Sequence, residues 1–85
     1  MFDVVLNNQA RKFLKSCPAI LSGRFAEKME DLRIQPFPTD TKRVFGFPDK
    51  VFRVRLGDYR ILYQVDHARN VLSVIRIEHR GHSYD

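Results

Sequence analysis

Three arginines crowd one short stretch, VFRVRLGDYR at 51–60, and the chain closes on IEHRGHSYD, which carries His79, Arg80, His82 and Tyr84. Arginine stays protonated in proteins and presents a planar fork of donors, so it grips a phosphate through two parallel hydrogen bonds and offsets charge that grows there. Histidine titrates near neutrality, and tyrosine donates a proton or, when strongly perturbed, accepts one. Cations beside movable protons suit metal-free cleavage of RNA. That reaction needs a base for the ribose 2′-OH, an acid for the departing 5′-oxygen and positive charge around the phosphoryl oxygens during in-line attack. Arginine is a poor base, so proton transfer falls to His82, His79 or Tyr84. His82 is preferred because it lies past the last strand, whereas strand alternation turns His79 toward the core.

These groups must be positioned by a hairpin. With Gly57 and Asp58 as a two-residue turn, Leu56 faces Tyr59, Val54 faces Ile61, and Arg55 lies opposite Arg60. Like charges directly opposite on one sheet face destabilise it by a few tenths of a kcal/mol up to roughly 1. A side-chain period of two adds Arg53 to the same face. The expectation is a surface whose repulsion an anion relieves.

Upstream, FDVVL at 2–6 reads as a strand, central or at an edge, and Asn7 or Asn8 as the N-cap of a short helix carrying Ala10, Phe13, Leu14 and Cys17. Pro18 interrupts that helix. A second runs from Ala19 to about Ile34 with Leu21, Phe25, Met29 and Leu32 as its apolar stripe and Arg24, Lys28 and Arg33 on its wet side. QPFPTD makes a loop, and TKRVFGFPDK reads as an irregular or edge-strand segment. Three strands, about 51–56, 59–65 and 71–79, should form an antiparallel meander. Its core face is expected to hold Phe52, Val54, Leu56, Tyr59, Ile61, Tyr63, Val65, Val71, Ile75 and Ile77. Arg53, Arg55, Arg60, Gln64, Arg76, Glu78 and Arg80 fall on the other face, interspersed with Leu62 and Val74. The fold class is α+β in the order β-α-α-β-β-β, with two helices on one face of a small, mainly antiparallel sheet, in one domain spanning 1–85.

At 85 residues with 44% hydrophobic content, the chain can bury one modest core. A formal charge of +5 and a pI near 9.8 favour an anionic partner. No apolar run is long enough to span a bilayer and the N-terminus lacks signal-peptide order, so a cytoplasmic protein without a membrane partner is expected. Cys17 is the single cysteine. It excludes an intramolecular disulfide and is expected to pack at a helix end, and no Cys/His spacing calls for a metal.

GDYRILYQV, taken together with HRGHSY, the βαα opening and the basic segment TKRVFGFPDKVFRVRL, resembles the RelE/ParE superfamily of prokaryotic toxins, and within it the RelE-like messenger-RNA interferases. The resemblance covers nearly the whole chain. It implies a RelE-like, microbial-RNase-type fold and a toxin that enters the A site of a 70S-type ribosome. There it would cut mRNA, leaving a 2′,3′-cyclic phosphate and a 5′-hydroxyl, with no cofactor. Arg60 matches the family's phosphate-stabilising arginine, Arg80 its second catalytic arginine, and Tyr84 the tyrosine at the scissile nucleotide. His82 joins these as the fourth catalytic candidate. Arg53 and Arg55 stand where some members carry two lysines, a departure that moves proton transfer to His82, His79 or Tyr84. Lys42, Arg43, Lys50, Arg76 and His79 complete the expected RNA- and phosphate-binding set. The resemblance also implies a cognate acidic, RelB-like antitoxin as partner. Two other readings stand beside the nuclease: a ParE-like inhibitor of DNA gyrase, and a catalytically weak homologue acting as an antitoxin-binding co-repressor.

Overall fold

The first strand, β1 (Asp3–Leu6), runs parallel to the last, β5 (Val71–His79), and the rest of the sheet is built outward from that pair. Between them come helices α1 (Asn8–Ser16) and α2 (Ala19–Ile34) and strands β2 (Lys42–Val44), β3 (Val51–Leu56) and β4 (Tyr59–Asp66). The sheet order is β1-β5-β4-β3-β2, with every contact except β1·β5 antiparallel. The computed structural model describes residues 1–79.

Local chemistry sets the element boundaries. Asn7 caps α1, its side-chain oxygen accepting from the Ala10 N–H at 3.0 Å, which satisfies one of the helix's orphan donors. Cys17 ends the helix and Pro18 follows it. A proline lacks the N–H that a continuing helix needs, so α2 starts afresh at Ala19. Half-buried Cys17 packs against the core, and burial pushes its thiol above the usual range. Gly57 turns the β3–β4 hairpin at φ +59°, a backbone region that glycine enters without steric cost.

The hairpin register is the expected one, with Leu56 on Tyr59, Arg55 on Arg60 and Val54 on Ile61. The 42–44 segment takes the edge-strand alternative, pairing with β3 so that Lys42 faces Arg53. β5 departs from the expectation. A register shift in the β4–β5 ladder leaves Leu62 on Arg76 but Tyr63 on Val74, so Ile75 is an extra residue. A bulge of this kind breaks the period of two. Leu72 and Val74 therefore enter the core with Ile77, while Val71 and Ile75, expected there, are only half-buried.

The N-terminus of α1 seals the bulged strand beyond the end of β1. The Asn7 amide donates to the Ile75 carbonyl. The Gln9 side chain donates to the Ile77 carbonyl at 3.0 Å and accepts from the Ile77 N–H at 2.9 Å, as a neighbouring strand would. The core holds Phe25, Leu32, Val54, Ile61, Tyr63, Leu72 and Val74, all fully buried. Phe13, Phe25 and Tyr59 meet edge to face, with ring centroids 5.5–5.8 Å apart, and so fix both helices to the hairpin. The Tyr63 hydroxyl donates to the Pro36 carbonyl and contacts the Thr41 hydroxyl at 3.2 Å, tethering the loop after α2. Among the described residues, no helix is long and apolar enough to cross a membrane.

Candidate anion-binding cleft

β3 and β4 present Tyr59, Ile61 and Val54 to the helices, so the alternating residues Arg53, Arg55, Arg60 and Leu62 turn to the opposite face. Lys42 joins them through its pairing with Arg53, and Arg76 and Glu78 through theirs with Leu62 and Arg60. All of these except Arg55 line a cleft of about 460 Å³, whose lining comprises Lys42, Arg43, Val44, Phe45, Phe47, Arg53, Arg60, Leu62, Arg76 and Glu78. Leu62 is only 2% exposed and supplies the cleft with an apolar floor, where a weakly solvated charge interacts strongly with its neighbours.

Among the described residues, five cations share this lining with a single carboxylate. Glu78 accepts from Arg60 Nε on one oxygen and from Arg76 Nε on the other, both at 2.9 Å. The sequence places Glu78 on the arginine face but assigns it no task. Here it is an internal counter-ion, offsetting part of the repulsion for which an external anion was expected. The alternation in 76–78 carries that signal, yet pairing Glu78 with Arg60 requires the register on the far side of the bulge.

Arg53 is half-buried, and its Nη1 donates to the Asp40 carbonyl at 3.4 Å. Desolvation lowers its pKa from the ordinary arginine value, Arg55 and Arg60 lower it further, and Asp40 opposes them. A guanidinium still keeps its charge at neutral pH, and an anion beside this one would offset what burial and repulsion remove. The Arg43 guanidinium lies 5.1 Å from the Phe45 ring centroid at the cleft edge.

Not all candidate residues converge. Arg55 faces Arg60 across the hairpin but is exposed and outside the lining. Lys50 lines a separate polar cleft of about 410 Å³ with Asp49, Gln64, Asp66, His67 and Ser73. His79 pairs with Tyr59 on the helix side, their rings 4.9 Å apart and edge to face. The expected alternation thus holds for His79, which lines a smaller pocket of about 210 Å³ with Gln9, Phe13, Arg76 and Glu78 and not the cleft that holds Arg53 and Arg60. Arg80, His82 and Tyr84 lie outside the described residues.

The fold and cleft define a small basic α+β protein with a cation-lined cleft on the sheet face opposite its helices. Residues 4–84 match the family model described as the ParE toxin of the type II toxin-antitoxin system parDE. The chain is 33% identical, over 98% of its length and 94% of the relative's, to a Methanocaldococcus jannaschii protein that bears the name toxin RelE1. It superposes on the archaeal RelE-RelB complex from Pyrococcus horikoshii OT3 with TM-score 0.82 at 31% identity, covering 96% of this chain and 98% of that one. The isolated Escherichia coli RelE toxin shares the fold, with TM-score 0.80 at 21% identity over 98% of this chain and 88% of that one. The chain belongs to the RelE/ParE family of type II toxin-antitoxin toxins and is RelE-like.

Proposed function

We propose that this chain is a ribosome-dependent endoribonuclease that cuts mRNA in the A site and is held in check by an acidic, RelB-like antitoxin. The observation that carries the reading is the convergence of Lys42, Arg53, Arg60 and Arg76 on one cleft. Arg60 is the centre of that group, paired with Arg55 on one side and bonded to Glu78 on the other.

A phosphodiester in the cleft places its non-bridging oxygens among the guanidinium groups, which oppose the negative charge that grows as the 2′-oxygen attacks in line. Arg60 and Arg53 stabilise the transition state, and Arg76 and Lys42 hold flanking phosphates. A partly desolvated guanidinium strengthens this effect, because its charge is poorly screened before the phosphate arrives. Arg80 is the second catalytic arginine, and His82 or Tyr84 moves the proton. His79, on the opposite face, is left to pack on Tyr59. The Pyrococcus relative was solved as a RelE-RelB complex, which supports an antitoxin partner here, and a +5 chain suits one that is acidic.

Primer extension on translated mRNA after induction tests the reading. Cleavage inside codons at the A site is expected, and Arg60→Ala abolishes it in a protein that still folds. The family model carries the ParE name, which favours gyrase inhibition as a second reading. DNA damage with stalled gyrase, in the absence of mRNA cleavage, identifies that activity instead.

A further inference from the structure

Two phenylalanines stand at the rim of the cleft with no part in the chemistry above. Phe45 is 79% exposed and Phe47 is 41% exposed, yet both line the cleft with Arg53, Arg60 and Arg76. They flank Gly46, whose φ of +100° is open in practice only to glycine, so the β2–β3 connection bends between them. Arg43 rests against the Phe45 ring, a cation–π contact that helps to hold an otherwise exposed ring in place. Side chains this exposed add little to the core, and their position beside five cations indicates what they meet.

A positively charged groove edged with aromatic rings is the arrangement that binds single-stranded nucleic acid, with phosphates on the cations and base faces on the rings. A duplex hides its base faces in the stack, whereas a single strand offers them. We infer that Phe45 and Phe47 form a stacking platform for a base adjoining the phosphate held by Arg53 and Arg60. The cleft then reads single-stranded RNA by its bases as well as by its charge. The choice of RNA as ligand rests on the endoribonuclease reading.

The test uses the full chain and two fluorescein-labelled hexamers, followed by anisotropy at fixed salt. One is an all-2′-O-methyl hexaribonucleotide, whose blocked 2′-oxygens cannot attack, and the other is the same strand without bases. The wild-type protein should bind the base-bearing strand about tenfold more tightly, within the range that base–aromatic stacking supplies. Phe45→Ala/Phe47→Ala should equalise the two strands by weakening only the base-bearing one, with an unchanged circular-dichroism spectrum. Phe45→Trp should keep the preference, and Phe45→Leu should lose about as much of it as Phe45→Ala. Indifference of the wild-type protein to base removal overturns the inference. So does a fully retained preference in Phe45→Leu, which marks the rim as an apolar seat for a protein segment. Primer extension scores the parent reading separately: base preference without mRNA cleavage supports the platform and removes the nuclease, and cleavage without base preference does the reverse.

Discussion

Arg60 and Glu78 face each other across β4 and β5 with Nε and Oε1 2.9 Å apart, both side chains more than four-fifths buried. Arg76 binds the other carboxylate oxygen from an exposed position. The cleft thus carries its own anion, which orients Arg60 and lowers the repulsion among the cations while no ligand is present.

Glu78→Gln should therefore destabilise the fold by about 1.5–3 kcal/mol, the range for a charge-assisted hydrogen bond, because Arg60 loses an ionic partner while like charges remain nearby. Inorganic phosphate should return part of that stability by occupying the cleft. Thermal melts with and without phosphate check both effects, and a larger phosphate-induced rise in Tm for the variant than for the wild type is the expected result.

Arg55 and Arg53 should separate on substitution. Arg55→Ala removes the charge opposite Arg60 without touching the cleft lining, and should stabilise the protein by a few tenths of a kcal/mol up to roughly 1. Arg53→Ala should leave stability little changed and sharply reduce growth arrest. Denaturant titration beside a growth assay reads the two together.

Single-stranded RNA binding should weaken with salt along a slope of log Kobs on log[salt] of about −2, the value for three phosphates neutralised, one by Arg53 and Arg60 together and the flanking two by Arg76 and Lys42. Lys42→Ala, which releases a flanking phosphate, should make the slope shallower by about 0.7. Anisotropy titrations on a non-cleavable strand from low to physiological salt measure it.

Burial raises the Tyr63 phenol above its ordinary value of 10.0, with the Thr41 hydrogen bond opposing the shift and Asp40 adding to it. The unfolded chain therefore releases this proton at a lower pH than the native protein does. The stability contributed by the raised pKa is complete below pH 10 and is lost as pH climbs through the native value. Tyr63→Phe should cost about 1 kcal/mol at pH 7 through the freed Pro36 carbonyl, and should flatten the alkaline decline in stability. Urea melts from pH 7 to 11 give both quantities.

Gln9→Ala should open the strand past the bulge, since one side chain satisfies both backbone groups of Ile77. A loss of about 1–2 kcal/mol is expected, with faster hydrogen exchange at the Ile77 amide than at the Val54 amide.

Much of this architecture was legible in the residues themselves. Proline placement marked both helix boundaries, and Gly57-Asp58 fixed the hairpin register, because those signals are local. Ile75 was misplaced because nothing in VLSVIRIEH announces an extra residue. The bulge is decided by what α1 and β4 offer on either side. The same non-local register hid the Glu78 clamp. The Phe45 and Phe47 rim was equally silent, since the turn at Gly46 and the β2 pairing decide where those rings stand.

β5 lies between β1 and β4, joining the first strand of the chain to the hairpin, and it brings Arg76 and Glu78 to the cleft. The β2, β3 and β4 strands pair with one another without β5, but β1 joins the sheet only through it, and a contact so distant in sequence forms late in folding. A nascent chain still lacking β5 has neither a completed sheet nor an assembled cleft. Synthesis itself thus imposes a delay, and the cell that makes the toxin meets an assembled cleft only after β5 has been delivered.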